Sequence, residues 1–351
     1  MKTLNDIQTQ DFLKAPYASL PSAEFLRHFQ TRSSVRYLPL SRGTSMHVER
    51  AEKILQHEFN FNNEVYQLPE NFDWKANPSR DIEWLILLHK FYYAKDLAGA
   101  YDYTGDEKYT HKWMDLVSSW IRNVPDGFIN SHVTGRRLQL WLLAYHYFVP
   151  EKRSASVTSS FLLEFFRSVH SQTLYLCEHL TPEGNHRTIE LYSIFLVAVV
   201  FHELKESARL LDFAKHELLK NLEQDLLEDG VHRELSTDYH HTVLKNHLRV
   251  RTLAVLNAIG LSPRFDEMMN KAFEFSMYVH KPDGLIPAIN DGDSNSYLSL
   301  LKKAYSHYSN EQLLYVASKG EEGTPPGERS KGFSDSGYYV LRGSWTHQPY
   351  E

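Results

Sequence analysis

The stretch IEWLILLHKFYYAKDLAGAYDYT, Ile82 to Thr104, decides the fold class. Its apolar residues recur at steps of three and four, the spacing that lines one face of a helix. After a Thr-Gly-Asp break, EKYTHKWMDLVSSWIRNV, Glu107 to Val124, repeats the pattern and reads as its hairpin partner. The same periodicity continues through VTGRRLQLWLLAYHYFV, Val133 to Val149, and then through segments starting at Ser156, Asn185, Glu206, Ser236 and Pro263. The breaks between them are short and carry Gly, Pro, Asp or Asn. Helices joined by short connections become antiparallel neighbours. With no fixed sequence period, such hairpins point to a curled toroid rather than a regular solenoid. Leu191 to Val200 is apolar around most of its circumference and reads as a well-covered helix. The expected fold is therefore all-α, an incomplete (α/α) toroid.

The pattern changes near Gly320. EEGTPPGERSKGFSDSG is a polar Gly/Pro linker, and GYYVLRGSW, Gly337 to Trp345, reads as a single β-strand, aromatic and β-branched. The expected organisation is an N-terminal segment over 1–45, a helical catalytic domain over 46–320, and a linker with the start of a β-rich domain over 321–351.

Composition narrows the function. Apolar (42%) and charged (23%) fractions are those of a globular protein. The net charge of -6 lacks the basic excess of a nucleic-acid binder, so a polyanionic partner needs a local basic groove. No run of about 18 apolar residues is present, so no membrane span is expected. Cys177 is the only cysteine, which excludes an intrachain disulfide. The stretch MKTLNDIQTQDFLKAP lacks the apolar core of a signal peptide, which reads as cytoplasmic for the chain as it stands and as exported if a leader was trimmed. The aromatic fraction (13%) serves helix packing or sugar stacking, with core packing the expected role of Trp74, Trp84 and Trp141.

Two segments concentrate polar chemistry at helix starts: GNHRTIE, Gly184 to Glu190, and DGVHRELSTDYHH, Asp229 to His241. Asn185 is either an N-cap or a donor to an anion, and backbone N–H groups at a helix start favour the latter as well. His186 and Glu190 are four apart, on one helical face, as an ion pair or as an oriented ligand for a carboxylate. Arg187 is a further contact candidate. Tyr239 is a core tyrosine or a proton carrier; a phenol of pKa about 10 needs neighbouring cations to act as a base, and Arg233, His240 and His241 are the nearest in sequence. Arg136 and Arg137, with Arg187, Arg233, Lys245 and Arg249, are candidates for the basic groove. His232, His240, His241 and His247 lack the spacing of a zinc signature. Asp291 and Asp293 in NDGDS suggest either a cleft-shaping loop or a structural divalent cation without the full calcium-loop ligand set. No cofactor is expected.

In this order the motifs resemble the heparinase II/III family of polysaccharide lyases. FDWKANPSRDIEW, Phe72 to Trp84, is similar to its early Trp-Asn-Pro block, and GRRLQLW, Gly135 to Trp141, to its Arg-containing helix start. GNHRTIE, STDYH and PAINDGDS, Pro287 to Ser294, are similar to its active-site segments, and SGYYVLRGSW to the first strand of its C-terminal β-sandwich. The likeness covers about residues 45 to 345. It implies β-elimination on a uronic-acid polysaccharide, with heparan sulfate or heparin favoured. It also implies catalytic roles for Asn185, Tyr239 and His186, with Arg136, Arg137, Arg187, Glu190, Arg233, His240, His241, Asn290 and Asp291 around the substrate. Asn185 and His186 neutralise the uronate carboxylate and Tyr239 is base and acid. In several members a sandwich-domain histidine completes the site. Here that domain is expected to be required as a partner, and His347, past the strand, does not replace its histidine. The alternatives are an alginate or oligo-uronate lyase of the same fold, a glycoside hydrolase using two carboxylates among Asp229, Glu234, Asp238 and Asp291, and a non-catalytic domain binding acidic glycans.

Overall fold

The structure, a computed structural model, describes residues 12–345. His347 lies outside the described residues. The chain divides into two compact units, Met1–Leu180 with Ser193–Asp212, and Thr181–Tyr192 with Phe213–Glu351.

The first unit is built from helices α1 (Ala15–Ala18), α2 (Ser22–Thr31), α3 (Ser45–Leu55), α4 (Ile82–Lys90), α5 (Tyr93–Thr104), α6 (Lys108–Asn123), α7 (Ser131–His146) and α8 (Ser159–Glu178). The C-terminal part of α9 (Gly184–Val200) and the first residues of α10 (Ser207–Asp225) belong to it. The stretch Ile82 to Thr104, expected as one helix, is two. Phe91 adopts a left-handed conformation (φ +60°) that ends α4, and its ring is fully buried, stacked on Trp74 at 5.4 Å. Packing of that aromatic outweighs helix continuity, which periodicity cannot reveal. Strands β1 (Glu58–Phe61) and β2 (Glu64–Gln67) form a hairpin that the helical reading missed. Its two-residue loop, Asn62 and Asn63, has positive φ at both positions, a turn that asparagine tolerates. The core is aromatic: Trp74, Trp84, Trp113, Trp120 and Trp141 are all buried, and Trp120 meets Trp141 edge-on at 5.5 Å. Rings that bury this much area supply most of the packing, so Trp74, Trp84 and Trp141 are core residues rather than sugar platforms.

The second unit carries the N-terminal part of α9, the C-terminal part of α10, and α11 (Thr237–Leu256), α12 (Pro263–Val279), α13 (Leu298–Tyr308) and α14 (Glu311–Ala317). The terminal strand is not alone. β4 (Tyr338–Val340) pairs antiparallel with β3 (Lys331–Phe333). This hairpin packs on α12, with Phe333 and Tyr338 each 5.0 Å from the Phe275 ring. Trp345 meets Tyr278 at 5.3 Å, and its indole N–H donates to the Glu328 carbonyl at 2.9 Å. No helix among the described residues is long and apolar enough to cross a membrane.

Candidate functional site

All of the geometry that follows for α9 and α11 lies within the second unit. Gly184 starts α9 at φ +83°, a conformation that favours glycine. A Cβ at this position would lie 2.5 Å from Glu234 Oε1. Asn185 is thereby inside the first turn rather than at the cap. Its backbone N–H donates to Glu234 Oε1 at 2.9 Å, and its amide Nδ2 donates to Oε1 at 3.2 Å and Oε2 at 2.9 Å. The preceding N–H, of Gly184, donates to Asp225 Oδ2 at 2.8 Å. Two carboxylates thus accept the first N–H groups of α9, where the helix dipole favours negative charge.

The other residues of GNHRTIE separate by burial. His186 is exposed. Glu190 is fully buried, its Oε2 accepting from the Thr181 N–H at 2.8 Å and its Oε1 from the Thr181 hydroxyl at 2.7 Å. Arg187 is also buried; it donates to the Thr181 carbonyl at 2.7 Å and pairs with Glu217. Expected to touch substrate, Arg187 and Glu190 instead hold the Thr181 turn against its own helix. Their burial follows from their position on the core face of α9, beside Thr188, which accepts from Asn246 Nδ2 at 3.0 Å.

Ser236 caps α11, its hydroxyl accepting from the Tyr239 N–H at 3.3 Å. Tyr239 follows in the first turn, half-buried, and its phenol donates to Asp291 Oδ2 at 3.1 Å. The loop that carries Asp291 is pressed onto this helix start. Asn290, at φ +55°, donates to the Leu235 carbonyl at 2.7 Å, and a Cβ on Gly292 would lie 2.7 Å from both Ser236 Oγ and Asp238 Cβ. Asp238 accepts from Tyr297 at 2.5 Å and from Asn295 at 2.9 Å.

The cations expected to lower the Tyr239 phenol do not do so. His240 and His241 are fully buried. His240 bonds the Ala272 carbonyl at 3.0 Å through Nε2; His241 bonds the Thr237 carbonyl and the Ser276 hydroxyl, each at 2.6 Å, and stacks on Tyr297. Burial pushes His240 down to about 3, and His241 well below the usual histidine range, so both are neutral at physiological pH. Arg233 is committed to Glu183 and lies 3.9 Å from Asp225. Tyr239 is instead raised above its ordinary value, first by burial, then by its hydrogen bond to Asp291 and the charges of Asp291, Glu234 and Asp238. The surroundings of the phenol thus favour its protonated form.

Arg136 and Arg137 belong to the first unit. Arg137 is buried, donating to Gln172 Oε1 at 2.8 Å and Thr134 Oγ1 at 3.0 Å, with its guanidinium 3.9 Å over the Trp120 ring. Burial lowers it to about 9. It is a core strut rather than a sugar contact. Arg136 is half-buried and donates to Gln139 Oε1 at 2.7 Å. In the second unit, Arg249 lies 6.0 Å over the Tyr192 ring and Lys245 is exposed. Of the basic candidates in this unit, Arg187 and Arg233 are paired with Glu217 and Glu183. Asp291 and Asp293 are exposed, and among the described residues no group of three or more His, Cys, Asp or Glu is placed to hold a metal ion.

The residue that sequence reasoning underrated is Glu234, weighed only as a hydrolase carboxylate. It sits in the DGVHRELSTDYHH segment, but its partner Asn185 is 49 residues away, beyond any local pattern.

A family model described as Heparinase II/III N-terminus matches residues 6–315. A heparin-sulfate lyase of Pedobacter heparinus is 27% identical, the match covering 85% of this chain and 47% of that protein. One from Bacteroides thetaiotaomicron is 25% identical, covering 97% and 54%. The chain spans about half the length of the curated relatives it matches. Among solved structures, a heparinase III aligns with a TM-score of 0.84 at 24% identity over 92% of this chain and 55% of that one, and the heparan sulfate lyase HepC of Pedobacter heparinus aligns at 0.72 over 92% and 53%. These likenesses show a shared fold, that of the helical toroid of heparinase III.

Proposed function

The chain belongs to the heparinase II/III family, and from that premise we propose that it is the helical catalytic part of a polysaccharide lyase acting on a uronic-acid glycosaminoglycan, heparan sulfate or heparin foremost. Relatives named heparin-sulfate lyase support the substrate class. The observation that carries the reading is local: the amide of Asn185 and the phenol of Tyr239 stand in the first turns of two helices of one unit. Glu234 bonds the first, and its charge acts on the second.

β-Elimination removes the C5 proton of a uronate and expels the 4-linked sugar. The C5 proton is weakly acidic while the neighbouring carboxylate keeps its full charge. A fixed N–H donor stabilises the charge that develops on that carboxylate without titrating itself, the role assigned to Asn185, with the exposed imidazole of His186 beside it in sequence. Tyr239, held protonated among carboxylates, delivers its proton to the departing O4 oxygen. The base that takes the C5 proton is assigned to the histidine which, in several family members, the β-sandwich supplies.

The test is near-UV absorbance on mixing the full-length protein with heparan sulfate, heparin, hyaluronan and alginate. A lyase creates a C4–C5 double bond conjugated to the carboxylate, a hydrolase creates reducing ends without that absorbance, and a binder does neither. Tyr239→Phe is expected to abolish the absorbance change while largely preserving binding. Full activity in that variant removes Tyr239 from the chemistry.

A further inference from the structure

We propose that Glu234 is the positioning residue of this site: its carboxylate dictates which way the Asn185 amide faces and clamps that residue to the start of α9. The inference rests on the reading of Asn185 as donor to the substrate carboxylate, and goes beyond it by naming what keeps the donor in place.

An amide can turn its oxygen and nitrogen end for end at little intrinsic cost, so a site that needs a donor must hold one orientation. Glu234 does this because an ionised carboxylate only accepts. Facing it, the Asn185 oxygen would be repelled and the nitrogen is attracted. Nδ2 lies 2.9 Å from Oε2 and 3.2 Å from Oε1, so a single N–H serves both oxygens and the second N–H is left for a ligand. The same Oε1 takes the Asn185 backbone N–H at 2.9 Å, which fixes the side chain's point of attachment as well. Hydrogen bonds with a charged partner are the stronger kind.

The clamp is itself held. Gly184 leaves the carboxylate its space, since any Cβ there would lie 2.5 Å from Oε1. On the other side, the Glu234 backbone N–H faces His232 Nδ1 at 3.4 Å, the His232 imidazole is fully buried, and the Arg233 N–H donates to the Asp225 carbonyl at 2.8 Å. Leu235, at φ +51°, donates to the His232 carbonyl at 2.9 Å and turns the chain into α11. The segment that carries Glu234 is thus a tight turn between α10 and α11, and its charge also reaches Tyr239. One carboxylate therefore bears on both residues assigned to the chemistry, through hydrogen bonds to one and through its field on the other.

The experiment compares Asn185→Ala, Glu234→Gln, Glu234→Asp and the Asn185→Ala/Glu234→Gln double variant in the full-length protein. Turnover of heparan sulfate is followed by near-UV absorbance, and the Asn185 side-chain NH2 pair by nitrogen-edited NMR. The variant Glu234→Gln is nearly isosteric, and Glu234→Asp keeps the charge but withdraws it by one methylene. Both are expected to lose kcat by about 10²–10³-fold, as Asn185→Ala does, with a smaller change in KM. The double variant is expected to be no slower than Asn185→Ala alone. In the parent, one Asn185 amide proton is expected downfield and protected from exchange, and in Glu234→Gln the two protons become alike. Rates within about twofold of the parent in folded Glu234→Gln and Glu234→Asp, or a double variant slower than both singles, overturn the proposal. If Asn185→Ala itself keeps full turnover, or no uronate polymer is cleaved, the functional reading fails. The NMR result then decides the positioning role by itself, and an NH2 pair unchanged by Glu234→Gln refutes it.

Discussion

Gly184→Ala puts the geometry of the α9 start to a quantitative test. Two costs add at this position. The backbone stands at φ +83°, which charges a residue with a Cβ about 1–2 kcal/mol. The new methyl would also sit 2.5 Å from Glu234 Oε1, so the carboxylate must retreat from Asn185. It is the end of a flexible side chain, but it accepts the Asn185 N–H and amide, and losing a hydrogen bond to a charged group costs about 1.5–3 kcal/mol. The expected loss is about 2.5–5 kcal/mol in unfolding by urea, read at constant m value. In a Glu234→Ala background the collision and the bonds are both gone. There Gly184→Ala should cost only the backbone term of about 1–2 kcal/mol, leaving a coupling of about 1.5–3 kcal/mol between the two sites. A loss below about 0.5 kcal/mol in the parent, or the same loss in both backgrounds, would refute the claim that this glycine exists to seat Glu234.

Other outcomes follow from the same structure. Asp291→Asn removes a charge that raises the Tyr239 phenol, so the phenol should ionise at lower pH. Because an acid loses its proton as pH rises through its pKa, the alkaline limb of the pH–rate profile should move to lower pH; an unmoved limb would show that Tyr239 is not the acid. Arg137→Ala should destabilise by about 2–5 kcal/mol by opening a cavity beside Trp120 and leaving Gln172 Oε1 without its donor. Arg137→Met, which keeps the stem over Trp120, should cost less and leave glycan affinity unchanged by calorimetry; a loss of affinity in the folded Met variant would restore Arg137 as a contact. In the first unit, Glu203 is buried; burial pushes its carboxyl up, but the bonds and charges of His28 and Arg32 together hold it down to about 2 from 4.5. A depressed carboxyl stabilises above its unfolded value and loses that contribution as pH falls through the folded one. Glu203→Gln should therefore cost on the order of 3 kcal/mol at pH 7, with the deficit shrinking from about 4.5 downward, checked by urea unfolding at pH 7 and pH 3.

The helices were legible because their signal is local. Apolar residues three and four apart meet on one face whatever the rest of the chain does, so α6 to α12 could be placed from the sequence to within a few residues. The two polar helix starts were legible for the same reason, since Ser236 and Gly184 mark them in the sequence. The break at Phe91 was not, because a left-handed turn there is stabilised by burial against Trp74, which is supplied by another segment. The β1–β2 hairpin was missed although Asn62-Asn63 between two short aromatic runs is a local turn signal.

What the tertiary structure alone decided is charge. Sequence proximity put Arg233, His240 and His241 beside Tyr239, as cations that would lower its phenol. Folding turns the two histidines into the core, where desolvation leaves them neutral, and ties Arg233 to Glu183. It then brings in Asp291 from 52 residues away, which favours the protonated phenol. It likewise gives the Asn185 amide to Glu234, 49 residues on. The sequence determined which groups stand at the two helix starts, through local spacing and turn residues. Their protonation and orientation depend on the charges and water around them, and those neighbours are chosen by the packing of distant segments.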